Sequence, residues 1–483
     1  MSDQLTTVVT KKKIAMSAPK DDSLTGRKRS RKDRIDIGDE FDDESTPAQD
    51  VLEHVAEIPD DVILRQMRLF RDDANPKKVD LGVGAYKDDE GRSLVFGTVR
   101  KAEVLLTASH AGPMRIYDEL QPRTEATRPK DGLLDKDYPG MRGVGFFLSG
   151  AQTLLFGEDH GLHVASVQTV AGSAACRIAF ELFLRFLPDM KIFAPNPTWG
   201  NHHYLWSETY AYHRGAKLPE YQYINPDTLT LDLEGMTQNL TGLRRGSIVL
   251  FHLCGHNPTG VDPNKAQWDA IADVVKERSL VPFIDAAYQG LVSGSTEDDA
   301  YFLRKLVEIG VPTIVVAQSF SKNMGLYGER VRALHEVCES EETARKVTSQ
   351  LKMLTRGIYS MPPIHGARIA GYILSDPTLR MAWEEELRAA SLRLWKVRSL
   401  LVAELVSMGT PHPLGVDWSV LASHGGMFSY TGLPAEVCYD LREEHSVYMV
   451  PATGRLCFCG LNEGNVVYVA EAIDKAVRRH MEI

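Results

Sequence analysis

From about residue 170 the apolar positions alternate between two spacings. Residues 173–187 set Cys176, Phe180, Leu184 and Leu187 three or four apart, which predicts a helix with one apolar face, and residues 191–194 follow as a short strand. Residues 247–253 form a continuous apolar run of strand length. Asp262 and Pro263 then predict a helix cap and first turn, with Trp268, Ile271, Ala272 and Val275 at helical spacing behind them. A strand at 281–284, a helix at 301–309 and a strand at 313–317 complete the run. Such alternation predicts an α/β fold, a mostly parallel sheet flanked by helices. Nothing repeats at a fixed period, which excludes a solenoid.

The first 50 residues follow neither spacing. Lysine and arginine cluster at 11–13 and 27–32, an acidic block runs from Asp36 to Glu44, and large apolar residues are few. A segment of this kind cannot offset its ordering entropy, so it is expected to be a disordered, solvated tail. The bipartite spacing of its basic clusters leaves a nuclear import signal as the alternative. A mitochondrial transit peptide would be poor in acidic residues, whereas Asp3, Asp21 and Asp22 interrupt this one, and no secretory apolar region is present. The cytoplasm is the default expectation, with mitochondrial or nuclear targeting by the tail left open as alternatives.

The chain has 483 residues, 43% of them hydrophobic, and a net charge of −10. That balance argues against a protein built to coat nucleic acid or an anionic membrane, and any anionic ligand must be met by local positive charge. The six cysteines include no Cys-x-x-Cys pair, which favours a reducing compartment. Apolar runs stop short of the ~18 residues that a membrane span needs.

The three strands at 247–253, 281–284 and 313–317 each end in polar residues. His256-Asn257-Pro258-Thr259-Gly260 follows the first, Asp285 and Tyr288 the second, and Ser319-Phe320-Ser321-Lys322 the third. Ligands of open parallel sheets bind outside the carboxyl ends of the strands, so an amide, a carboxylate, a phenol and an amine are aimed at one region. The usual nucleotide motifs fail: Gly82-Val83-Gly84 has Lys87 where a third glycine would stand, and no phosphate-loop pattern occurs. No metal site is expected; Cys457 and Cys459 read as two small apolar side chains on one face of a strand. An amine, an aspartate and a tyrosine at converging strand ends suit pyridoxal phosphate, whose aldehyde condenses with a lysine and whose ring is an electron sink.

Several runs carry a specific likeness. Residues 79–86 (Val-Asp-Leu-Gly-Val-Gly-Ala-Tyr), 196–202 (Asn-Pro-Thr-Trp-Gly-Asn-His), 256–260, 285–290 (Asp-Ala-Ala-Tyr-Gln-Gly), 318–330 (Gln-Ser-Phe-Ser-Lys-Asn-Met-Gly-Leu-Tyr-Gly-Glu-Arg) and Gly454-Arg455 occur in one order across residues 51–483. The chain thereby resembles the aspartate aminotransferase family, fold-type I pyridoxal-phosphate enzymes of the class I aminotransferases. The resemblance implies transfer of an amino group between L-aspartate and 2-oxoglutarate. It also implies a pyridoxal 5'-phosphate cofactor, amino-acid and 2-oxo-acid substrates, and a homodimer with shared active sites. It further implies a large cofactor domain over 96–381 and a smaller α/β domain built from 51–95 and 382–483.

Carried over residue by residue, the resemblance makes Lys322 the amine that holds the cofactor and shuttles the proton. Asp285 becomes the partner of the pyridine nitrogen, with His202 behind it, and Asn257 and Tyr288 become donors to the phenolic oxygen. Trp199 would stack on the ring. Gly172, Ser173, Ser319 and Arg330 would hold the phosphate, with Tyr138 reaching it from the neighbouring subunit. Gly84, Trp199, Asn257 and Arg455 would contact substrate, Arg455 at the α-carboxylate, and Arg356 would cross from the partner to the side-chain carboxylate; a planar guanidinium can pair both oxygens of either group.

Three departures bear on these expectations: Ala171 stands where a serine is common, Ser173 replaces a threonine, and Met361 occupies a position that is commonly asparagine. Loss of that amide beside Arg356 leaves open a broad-specificity aminotransferase that also accepts aromatic amino acids. A non-catalytic scaffold of the same fold, acting through its charged tail, is the alternative from another class.

Overall fold

Seven strands make the central sheet: β1 (His163–Val170), β2 (Ile192–Asn196), β3 (Glu220–Gln222), β4 (Ile248–His252), β5 (Val281–Ala286), β6 (Ile314–Ser319) and β7 (Val331–Cys338). This computed structural model describes Val55 and residues 61–108, 136–209 and 217–483. The tail expected at 1–50 lies outside the described residues, and all described helices and strands belong to the unit Asp60–Ile483. Side by side the strands run β1-β7-β6-β5-β4-β2-β3. Among the described strands, β7 runs against its neighbours β1 and β6, and the other pairings in the sheet are parallel. The mostly parallel sheet read from the alternating pattern is therefore present.

Strands β4, β5 and β6 are buried along almost their whole length, because helices cover both faces of the sheet. Successive residues face opposite sides. Ile248, Leu250, Phe283 and Val315 pack with Cys176 and Phe180 of helix α1 (Ala171–Phe186). Val249, Phe251, Ile284 and Val316 pack on the other side with Trp268 and Ile271. Those last two belong to a further helix over Lys265–Glu277, which follows helix α2 (Gly200–Thr209) in the chain and is labelled α3. A third core gathers Trp383, Leu387, Leu394 and Leu401 of the long helix Pro377–Ser407 with Val469, Ile473 and Val477 of the C-terminal helix Val466–His480. Residue 382, the expected start of the smaller domain, falls inside that long helix. Trp383 Nε1 donates to Asn323 O at 2.7 Å, tying the helix to the loop that carries Lys322.

Two local expectations need correction. Helix α3 is capped by Asn264 rather than Asp262: Asn264 Oδ1 accepts from Gln267 N at 3.0 Å and Gln267 Oε1 accepts from Asn264 N at 2.8 Å, a reciprocal capping box. The Asp262 carboxylate is already engaged, accepting from Gly255 N at 2.6 Å and His256 N at 2.9 Å. It thereby fixes the loop that leads to Asn257. Cys457 ends the strand Arg455–Cys457, but Cys459 lies in the following 3-10 turn, so the two thiols do not share a strand face, although both are fully buried.

Candidate active site

Register brings the chemistry together. His252 pairs with Asp285 across β4 and β5, and Asp285 with Ala317 across β5 and β6, so the three strands finish level. Asn257, Tyr288 and Lys322 lie in the loops just beyond. With Gly84, Trp199, Asp285 and Arg455 they line one cavity of about 130 Å³. A wider cleft of about 500 Å³ beside Lys77 and Tyr468 contains none of these residues. Its Lys87 is already paired with Asp80 at 2.6 Å.

Asp285 is buried at the end of β5. Burial alone would raise its pKa, but Arg332 and His202 outweigh it and hold the carboxyl below the usual carboxylate range. Arg332 Nη1 donates to Oδ1 at 3.0 Å, and His202 Nε2 stands 3.4 Å from Oδ2. His202 is oriented through Nδ1, 2.9 Å from Thr198 Oγ1, and that hydroxyl also lies 3.1 Å from His252 Nε2. Lys322 Nζ sits 5.7 Å from the centre of the Tyr288 ring. Burial, then the neighbouring Arg332, bring its amine down to about 8 despite the opposing pull of Asp285. Burial pushes the Tyr288 phenol up, so it remains a donor at neutral pH.

Arg455 is buried on the last strand of the chain. Its Nη1 donates to Asn257 Oδ1 at 3.1 Å, its Nη2 to Gly82 O at 2.6 Å, and its guanidinium lies 4.5 Å from the Phe428 ring centre. Asn257 Nδ2 is 3.4 Å from the Tyr288 hydroxyl. Gly84 must lack a side chain: a Cβ there would come within 2.7 Å of Phe428 Cζ. Trp199 stands edge-on to His202 with ring centres 5.2 Å apart.

Helix α1 opens with Ala171, Gly172 and Ser173, and Val170 before it supplies no side-chain cap, so the Gly172 and Ser173 amides are placed to meet an anion. Ala171 N donates to Arg330 O at 3.0 Å, which brings Arg330 beside that turn. The Arg330 guanidinium itself donates to Tyr327 O at 2.6 Å. Ser319 is buried, with its hydroxyl accepting from Ser321 N at 3.2 Å. Arg356 and Tyr138 are not brought into the cavity. Arg356 is exposed on the helix Glu341–Ile358, and Tyr138 is 82% exposed.

Residues 76–473 match the family model "Aminotransferase class I and II". The chain belongs to the class I and II aminotransferases. It is 37% identical over 431 residues to the mitochondrial aspartate aminotransferase of Gallus gallus, covering 88% of this chain and 94% of that one. The cytoplasmic aspartate aminotransferase of Saccharomyces cerevisiae superposes with a TM-score of 0.80 at 34% identity, over 89% of this chain and 99% of that structure. An aromatic-amino-acid aminotransferase from Burkholderia pseudomallei, covalently bound to pyridoxal phosphate, superposes with a TM-score of 0.78 at 35% identity, over 89% and 100% of the two chains.

Class I and II aminotransferases use pyridoxal phosphate. The donor set fits that group. An amine, a carboxylate, a phenol and an amide face one cavity, uncapped amides lie at the head of α1, and the Nε atoms of Arg332 and Arg455 are buried with no partner. The polar motifs at strand ends predicted most of this set. Arg332, His252 and Phe428 did not stand out in sequence. The available signal was Arg332 itself, a charge inside the strand-length run Val-Arg-Ala-Leu, because a cation in a buried strand requires a partner.

Proposed function

We propose that this aminotransferase exchanges amino groups between L-aspartate and 2-oxoglutarate. The observation that carries the reading is the convergence of Lys322, Asp285, Tyr288, Asn257 and Arg455 on one cavity. When bound, pyridoxal phosphate supplies an aldehyde for the amine and a ring that takes up carbanion electrons. Lys322, with its amine lowered toward neutrality, would hold the cofactor and would move a proton at the substrate's α-carbon. Asp285 would face the ring nitrogen, with His202 fixing the carboxylate from behind. Tyr288 and Asn257 would donate to the ring oxygen. Gly172, Ser173, Ser319 and Arg330 would hold the phosphate, and Trp199 would cover the ring.

Arg455 receives the α-carboxylate, leaving Arg356 for the second carboxylate. Since Arg356 and Tyr138 are exposed and do not line the cavity of their own subunit, the working unit is a homodimer in which each completes the partner's site. Met353, an exposed apolar residue one turn before Arg356 on the same helix, supports burial of that face by a second copy. The smaller domain is proposed to comprise 51–95 and 382–483, beside a cofactor domain of 96–381, and residues 51–54 and 56–60 of it lie outside the described residues. The acidic residues interrupting the N-terminal basic clusters favour the cytoplasm, and subcellular fractionation checks it.

A donor and acceptor panel on the purified protein tests the assignment. Aspartate should give the highest kcat/KM; a poor rate with aspartate beside a good one with phenylalanine or tyrosine overturns it. Met361 favours that second, aromatic reading by placing an apolar side chain near Arg356 in sequence. Under the aromatic reading, Met361→Asn shifts the ratio toward aspartate.

A further inference from the structure

Arg332 is a buried cation that the assigned roles leave unused. It sits on β7 opposite Ser319 of β6 and Thr169 of β1, next to both expected ends of the cofactor. Its guanidinium lies so close over the first turn of α1 that a Cβ on Gly172 would fall 2.5 Å from Cζ and 2.7 Å from Nη2. At its far end Nη1 holds Asp285 Oδ1 at 3.0 Å, while Nε is buried without a partner. Arg332 also lines the cavity. Its charge is thus fixed at the one carboxylate proposed to face the ring nitrogen.

We propose that Arg332 is a positioning residue that shares Asp285 with the cofactor: it occupies Oδ1, leaves Oδ2, which His202 Nε2 approaches at 3.4 Å from behind, to face the pyridine nitrogen as well, and by its own charge lets that nitrogen lose its proton at a lower pH than an unshared carboxylate would allow. This deepens the cofactor reading above and rests on it. The physical reason is charge balance. A carboxylate stabilises a pyridinium by being negative, and a guanidinium in contact with the same carboxylate cancels part of that field in a low-dielectric site. The single hydrogen bond from Nη1 commits Oδ1 to the guanidinium, which leaves the other oxygen to face the ring. The other titratable groups around Asp285 are Cys176 of α1, His202 of α2, His252 of β4, Tyr288 beyond β5 and Lys322 beyond β6. Burial raises the Cys176 thiol and the Tyr288 phenol and lowers His252 to about 3, so these three stay uncharged at neutral pH. Arg332 is the permanent positive charge in contact with the carboxylate.

The test is an NMR titration of the holoprotein loaded with pyridoxal phosphate labelled with 15N at the ring, in wild type, Arg332→Gln and Arg332→Lys. Removing the charge should move the ring-nitrogen midpoint up by about one pH unit or more. The lysine variant, a point donor on a different stem, should move it by less in the same direction. Either folded variant titrating together with wild type overturns the role, and the lysine variant keeps the test open should the glutamine variant fail to fold. Labelled cofactor that gives no bound signal in wild type sinks the cofactor reading and this role with it. A normal bound signal with superimposed titrations sinks the Arg332 role alone.

Discussion

Arg455 and Asn257 meet at 3.1 Å, Nη1 donating to Oδ1, although 198 positions separate them in the chain. The contact joins the last strand to the loop beyond β4, and by engaging Oδ1 as an acceptor it directs the asparagine's Nδ2 toward the Tyr288 hydroxyl. One guanidinium therefore orients a second polar group while keeping an unpartnered Nε.

Replacing Arg455 with alanine should strip the carboxylate anchor and leave Asn257 without its fixed partner. Truncating one side of a buried, hydrogen-bonded charge pair costs at least about 2 kcal/mol, so kcat/KM for aspartate should fall roughly 30-fold or more. Steady-state kinetics check this, and a fall below threefold would remove Arg455 from the site. Cofactor should still bind, because Arg455 contacts substrate, while its absorbance should shift modestly through the released Asn257.

Lys322 makes a prediction with a sign. Its folded-state amine sits near 8, below the ordinary lysine value of 10.5, chiefly through burial and then Arg332. Between those values the unfolded chain binds more protons than the folded one, so the apoprotein gains stability as pH rises from about 8 to 10.5. Below pH 8 the buried charge is a standing cost. Lys322→Met should accordingly raise the Tm of the apoprotein at pH 7, by the equivalent of about 1–3 kcal/mol, with the gain shrinking toward pH 10. The rate at which wild-type apoprotein takes up pyridoxal phosphate should rise through pH 8, where the neutral amine appears. A rate inflection near 10 would show an unperturbed lysine.

Gly260 tests how the catalytic loop is held. Its φ is +72°, and a Cβ would stand 2.1 Å from the carbonyl oxygen of Phe428. That closeness reflects main-chain hydrogen bonds across the same seam, Gly425 N to Gly260 O at 2.6 Å and Tyr430 N to Thr259 O at 3.1 Å. Alanine meets a backbone it cannot push aside and a conformation it disfavours, so Gly260→Ala should cost about 2 kcal/mol or more and lower Tm by a few degrees. Thermal unfolding measures it. An unchanged Tm would mean that the loop and the Phe428 strand move independently.

The sheet was legible because β4, β5 and β6 are short, almost wholly apolar and bounded by turn residues, and the site was legible because its polar groups cluster at those strand ends. Less local features were not. Asp262 looked like a cap by spacing, but its choice of Gly255 and His256 as partners depends on how the loop folds back. Arg332 lies ten residues past Lys322 on an antiparallel strand, and only the sheet order brings it to Asp285. Cys459 continued a strand pattern that the chain abandons after Cys457, since a 3-10 turn follows. Periodicity reports which face is buried, whereas partner choice for a buried charge is set by contacts distant in sequence.

Sharing of sites between subunits can be decided by mixing two crippled variants. Lys322→Ala lacks the essential amine and Arg356→Ala the proposed anchor for the second carboxylate, so each alone should be nearly inactive with aspartate. Denatured together and refolded, random pairing makes half the dimers mixed, and in each mixed dimer one site has an intact Lys322 from one chain and an intact Arg356 from the other. About a quarter of wild-type activity should return. Were Arg356 to serve the cavity of its own chain, every site in the mixture would lack one residue and no activity would return. The exposure of Arg356 on its helix, outside the cavity that Lys322 lines, is the geometric reason to expect recovery.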